Sequence, residues 1–261
     1  MTILIIKIAT SILLGFFAGP AAVYAFNHMP ASWLCEYGED PALNPKLAKG
    51  EKRIKENPWR WVYSVGFICL CLRLSLVEYE GGMLSVHPEV TTATTQLAAA
   101  GLIACWILLI TALADLKFMI IPDQFVLLLA LSSIGFAPLW RNDAGMRLSV
   151  SGAWDHLDGF WQPLLGMVIG GGFMLLCAIA GRLIFKQDAF GFGDVKLCAA
   201  MGLVLGINGT VAAVAAAVII SGFVAAAGLA TGRYRKSDRK PLGPYLCGCA
   251  MAYIFIMMPF A

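Results

Sequence analysis

Charge is what this chain has least of. Only 13% of its 261 residues are Asp, Glu, Lys or Arg, whereas 59% are hydrophobic. Soluble globular domains carry about 25% charged residues, so one or two soluble domains are excluded, and so is a disordered chain, which needs the opposite balance. Basic stripes interleaved with aromatics are missing, which removes a nucleic-acid surface. His28, His87 and His156 lie far apart with no ligand spacing, so they build no metal site. The 8 Cys fall mostly inside apolar runs with no pairing pattern, which argues against a disulfide-stapled secreted domain. No sustained internal repeat is present. What remains is an all-α polytopic membrane protein, because helices satisfy their backbone polar groups internally in lipid.

A hydrocarbon core of roughly 30 Å takes about 20 apolar residues per helix. Eight runs fit: Ile3–Phe26, Trp61–Val77, Gln96–Ala114, Gln124–Trp140, Pro163–Ile184, Val195–Gly206, Thr210–Thr231 and Pro244–Phe260. The sixth is short, so the count is weakest between Val195 and Thr231. Gly166, Gly170, Gly171 and Gly172 in the fifth read as a close helix-packing face.

The basic residues set the orientation, since cytoplasmic loops collect Lys and Arg. With the amino terminus outside, the inner segments hold Lys46, Lys49, Lys52, Arg53, Lys55, Arg60, Lys117, Arg182, Lys186, Lys196, Arg233, Arg235, Lys236, Arg239 and Lys240, and the outer loops hold only Arg141 and Arg147. The loop from Glu78 to Thr95 has three Glu and no basic residue, which suits the outer side. Lys7 and the small-x-small run Val23-Tyr24-Ala25 also fit a cleaved signal peptide. Cleavage there would export the basic stretch from Lys46 to Arg60, so an uncleaved span is preferred. The segment Asn27–Arg60 then reads as a solvated cytoplasmic connector with a short helix near Leu47–Glu56.

Two carboxylates stand out against this apolar background. Asp115-Leu116-Lys117 and Asp194-Val195-Lys196 each adjoin an apolar span on the same side of the membrane. Acids at span ends are solvated caps or functional groups facing a polar cavity. Pro122 keeps Ile121 out of helical conformation, which puts a re-entrant turn beside Asp115. Gly191 and Gly193 let the backbone bend at Gly191-Phe192-Gly193-Asp194, where Asp194 reads as the cap of the next helix. Alone, this second motif is an ordinary glycine loop. Together the two Asp fit aspartic-protease chemistry, in which a carboxylate pair shares a proton, one member acting as base on a water and the other as acid. Asp123 reads as a helix cap or an aid to the pair. Lys117 and Lys196 read as inner-interface residues or as cations that bias the pair.

Three motifs in order, Asp115-x-Lys-x-x-x-Ile-Pro-Asp123, Gly191-x-Gly-Asp194-Val-Lys-Leu and Lys240-Pro-Leu-Gly-Pro-Tyr-Leu246, resemble those of the bacterial type IV prepilin peptidases, or leader peptidases, intramembrane aspartic proteases of the Gly-x-Gly-Asp class. The resemblance runs over the whole chain. Asn27-x-x-Pro30 is similar to a shortened form of that family's Asn-to-Pro stretch. The resemblance implies eight helices and a cytoplasmic-side catalytic pair of Asp115 and Asp194; Gly191, Gly193, Pro122, Asp123, Lys117 and Lys196 are the candidate supporting residues beside them. It implies a multi-pass protein of the bacterial inner membrane that removes the basic leader of type IV prepilins or type II secretion pseudopilins after a Gly. Residues 1–60 would be the first helix and loop, and 61–261 the peptidase domain.

One departure bears on cofactors. Many family members carry two Cys-x-x-Cys pairs in the first cytoplasmic loop and also methylate the new amino terminus with S-adenosylmethionine. Here the loop has only Cys35, and Cys247 and Cys249 lie two residues apart in the last span. A four-thiolate zinc site is therefore not expected, the peptidase needs no cofactor, and S-adenosylmethionine enters only if methylation is retained. Two other classes are compatible with the acids: an ion-coupled transporter or channel using Asp115 and Asp194, and a non-catalytic pilus assembly component.

Overall fold

The computed structural model describes residues 2–35, 53–55, 58–69, 71–72, 88–137, 161–185, 191–232 and 241–257, and no strand occurs among them. The helices are α1 (Thr2–His28), α2 (58–69), α3 (Pro88–Phe118), α4 (Asp123–Ser132), α5 (Trp161–Phe185), α6 (Phe192–Ala230) and α7 (Gly243–Met257). Four contain stretches long and apolar enough to cross a bilayer: Ile8–His28, Ala99–Phe118, Trp161–Leu183 and Phe192–Ala230. The apolar helices Asp123–Phe136 and Gly243–Ile256 are shorter. Large apolar side chains such as Leu14, Leu176, Leu183 and Phe223 face outward, an arrangement suited to lipid and not to water. The protein is an all-α, multi-pass membrane protein, and its described residues hold four span-length helices where the sequence suggests eight spans.

The differences have local causes. Helix α3 begins at Pro88, inside the stretch assigned to an outer loop, and runs on past Asp115 to Phe118. Helix α4 stops at Ser132 and tightens into a 3-10 turn, Ser133–Phe136. There the Ser132 and Ser133 hydroxyls donate to the carbonyls of Leu129 and Ala130 at 2.6 Å, competing with the backbone ladder. Residues 53–55 form a bend instead of the end of a short helix, and 47–52 lie outside the described residues.

The short sixth span has a structural explanation in Gly206, which sits inside α6 at φ 66°, ψ −170°, a conformation open essentially to glycine alone. A methyl group added at Gly170 of α5 would lie 2.6 Å from Thr210 Cγ2 and 2.7 Å from the Cys198 carbonyl oxygen. Those two atoms are therefore within about 6 Å of each other, whereas twelve residues of straight helix rise roughly 18 Å. The chain folds back at Gly206, and both arms run along α5. Gly166 meets the corner, with Gly202 and Gly206 against it, and Gly171 packs on Ala199. Three of the four α5 glycines thus serve close packing, while Gly172 has nothing within 4 Å. The first arm, 192–205, rises only about 21 Å.

On the other flank Gly15 and Gly19 of α1 let α2 approach, with Ile68 against the first and Ser64 against the second. Ser64 donates to the Phe16 carbonyl and Tyr63 to the Leu109 carbonyl, tying α1, α2 and α3 together. The core between α3, α6 and α7 is filled by Leu108, Ile110, Leu113, Leu197, Met201 and Leu246.

Candidate active site

Helix α3 ends just beyond Asp115. Met119 takes a left-handed conformation, φ 56°, and its N–H bonds the Asp115 carbonyl at 2.9 Å, the single bond of an αL helix stop. The chain then reverses through Ile121 and Pro122 into α4, the re-entrant turn that Pro122 predicts. Gly191 caps α6 and Asp194 stands three residues on, in the first turn, not at the cap itself. From there its carboxylate turns back within reach of the Gly191 backbone N–H, as an acid at that helix position does. A methyl on Gly193 would lie 3.2 Å from Ile121 Cβ, so this glycine lets the first turn of α6 close on the α3–α4 turn.

These contacts bring the two acids together. Asp115 is 6% and Asp194 9% exposed, and they are the only charged residues buried among the described residues. They lie close enough for the charge of one to act on the other. The backbone N–H of Gly243, at the start of α7, donates to Asp115 Oδ2 at 2.9 Å. Cys198 and Cys247, both fully buried, sit within electrostatic reach of the pair. A helix amino terminus thus faces each carboxylate, which favours negative charge there, and the apolar surroundings exclude bulk water.

The supporting residues divide. Asp123 opens α4 but makes no cap bond, Pro122 holding the cap position, so the cap reading is corrected. Its two oxygens instead accept from Lys196 Nζ at 2.8 and 2.9 Å. Lys117 donates to the Arg53 carbonyl at 3.3 Å. That bond belongs to a clamp that the sequence does not reveal. The Asn27 side chain bonds both the N–H and the carbonyl of Ile54, at 2.9 and 3.3 Å, while Arg53 donates to the Phe26 carbonyl at 3.3 Å. Burial lowers the Arg53 guanidinium from its usual value, with nearby Cys35 acting the other way. Phe26 stacks on Phe118, and Trp33 meets Phe125 edge-on. The described loop residues therefore dock over the same bundle end as the acids.

Gly243 is the other residue the sequence leaves without a role. Its signal is its place inside the Lys240–Leu246 motif, which assigns no task to the glycine itself.

Among the described residues no three His, Cys, Asp or Glu gather to hold a metal. Apart from the acids, the buried Ser and Thr side chains among the described residues are Ser64, Thr111 and Thr210. Each bonds a helix carbonyl, of Phe16, Ile107 and Gly206 respectively.

The chain matches the Type IV leader peptidase family over residues 102–227, a stretch that contains both buried acids. The prepilin leader peptidase/N-methyltransferase of Bacillus subtilis (strain 168) is 33% identical over 150 residues, 57% of this chain and 52% of that protein. The proteins of the same name from Aeromonas hydrophila and Burkholderia pseudomallei (strain 1026b) are 28% and 27% identical, each over 72% of this chain and over 61% and 56% of their own length. The chain spans half to three fifths of the length of these curated relatives. No solved structure matches it. The matched segment takes in all of α4 and α5, the second half of α3, and the Gly206 hairpin as far as residue 227.

Proposed function

We propose that this protein is a membrane aspartic endopeptidase that removes the leader from type IV prepilins or type II secretion pseudopilins at the cytoplasmic face of the bacterial inner membrane. The observation that carries it is the burial of Asp115 and Asp194, alone among the charged described residues, side by side at one end of an apolar bundle. Isolated charges are costly in such a setting, and a proton shared between the two acids lowers that cost while leaving one base and one acid. The family match and the relatives' names support the reaction and substrate class. The fifteen basic residues of the proposed inner segments support the orientation.

In this mechanism one carboxylate removes a proton from a water held between the two acids as the water oxygen bonds to the peptide carbonyl carbon. The protonated partner stabilises the oxyanion. Collapse of the tetrahedral intermediate breaks the C–N bond, and the nitrogen takes up a proton from the acid. Gly243 N–H fixes the rotamer of Asp115, and Gly193 allows the approach that sets the spacing. Residues 61–261 would carry this chemistry, and 1–60 would supply the first helix and the docked loop.

The test is cleavage of a full-length prepilin by the purified chain in detergent, with the mass of the new amino terminus measured. Wild-type protein cuts after the leader Gly, and the mass shows whether a methyl group follows. Asp115→Asn and Asp194→Asn each lose several orders of magnitude in rate, roughly as loss of one member of a catalytic unit does, with membrane insertion unchanged. Near-normal cleavage by either variant would overturn the assignment. Proton or cation flux through vesicles without cleavage would favour a transporter instead.

A further inference from the structure

We propose that Asp123 and Lys196 form a positioning couple that sets the spacing of Asp115 and Asp194. This inference rests on the peptidase reading above. The two acids sit on different helices, α3 and α6, and each is followed closely in sequence by one member of the couple. Asp123 is eight residues beyond Asp115, across the Met119–Pro122 turn, and Lys196 is two residues beyond Asp194. Lys196 Nζ bonds both Asp123 oxygens at 2.8 and 2.9 Å and also lies 5.2 Å from the centre of the Phe192 ring. The couple is a side-chain ion pair that joins the two acid-bearing segments. The same two segments also pack where the Ile121 side chain meets Gly193, a methyl on which would lie 3.2 Å from Ile121 Cβ.

The energetics separate this role from a stabilising one. The Lys196 and Asp123 side chains are 38% and 59% exposed, and exposed ion pairs contribute little to folding stability. Asp123 at the start of α4 is also favoured by the helix dipole without any partner. Catalysis is far more sensitive to position, since a displacement of about 1 Å can cost about 100-fold. Loss of the couple frees the α3–α4 turn to shift against α6, so turnover falls while the fold stands. Neither member touches the reacting atoms in this scheme.

The test is a double-mutant cycle on the full chain in detergent with the same prepilin. Asp123→Asn and Lys196→Gln each lower kcat about tenfold, with KM and the melting temperature unchanged, and the double variant falls no further than either single. The charge-reversed double, Asp123→Lys with Lys196→Asp, recovers kcat relative to Asp123→Lys alone. Singles with wild-type kcat, multiplicative losses in the double, or a loss confined to KM each overturn the couple. Should the neutral variants fail to accumulate, the reversed pair decides: recovery of kcat in the double relative to Asp123→Lys supports the couple, and equal kcat in the two overturns it. Failure of the wild-type protein to cleave prepilin sinks the peptidase reading itself, whereas cleavage indifferent to the singles sinks only this inference.

Discussion

The main-chain N–H of Gly243 donates to Asp115 Oδ2 at 2.9 Å across 128 residues of sequence. This bond makes the first turn of α7 part of the floor of the site. It also explains why the position is glycine, since an added methyl would come within 2.6 Å of the same oxygen.

Gly243→Ala is therefore expected to displace the Asp115 carboxylate and lower kcat about 100-fold, in line with the cost of a small misplacement, while the protein still inserts. Turnover of prepilin and membrane fractionation of the same preparation check this. Full activity in the variant would mean that Asp115 is held by other contacts.

Gly206→Ala is expected to destabilise the fold by roughly 1–3 kcal/mol, because alanine is strained at φ 66°, ψ −170°. Gly202→Ala adds a direct clash with the Gly166 backbone. Gly172→Ala, with open space around it, is expected to leave the melting temperature unchanged. Thermal unfolding in detergent compares the three, and equal stability throughout would remove the hairpin from the account.

Labelling of single engineered cysteines in intact cells is expected to place positions 52, 117 and 236 inside and 141 outside, following the basic residues. Position 52 found outside would mean that α1 acts as a cleaved signal.

Peptidase activity is expected to survive extended EDTA treatment, and Cys35→Ser to cleave normally, because one loop thiol cannot supply a tetrahedral thiolate set. Stoichiometric zinc in the purified protein, or activity lost to the chelator and restored by zinc alone, would reverse this expectation.

The sequence by itself determined the solvent of this protein and singled out its two candidate acids. Long apolar runs almost free of charge can only be lipid-spanning helices, and against that background Asp115 and Asp194 are visible because unpaired acids there are costly. Pro122 marked the turn after α3 because its ring restricts the preceding residue, a strictly local effect. What only the tertiary structure decided depends on contacts between residues remote in sequence. Gly206 reads as one more glycine in an apolar run until its backbone angles and the two arms packed on Gly166 and Gly170 reveal a hairpin. The Asn27 clamp on Ile54 joins residues 27 positions apart, and the Lys196 bond to Asp123 joins residues 73 apart. Nothing in either local sequence names the partner, since a Lys beside an apolar span serves equally well as an interface charge. Gly243 lay furthest from reach, because its contribution is a backbone N–H, which every residue but proline carries. Only the fold aims that N–H at Asp115.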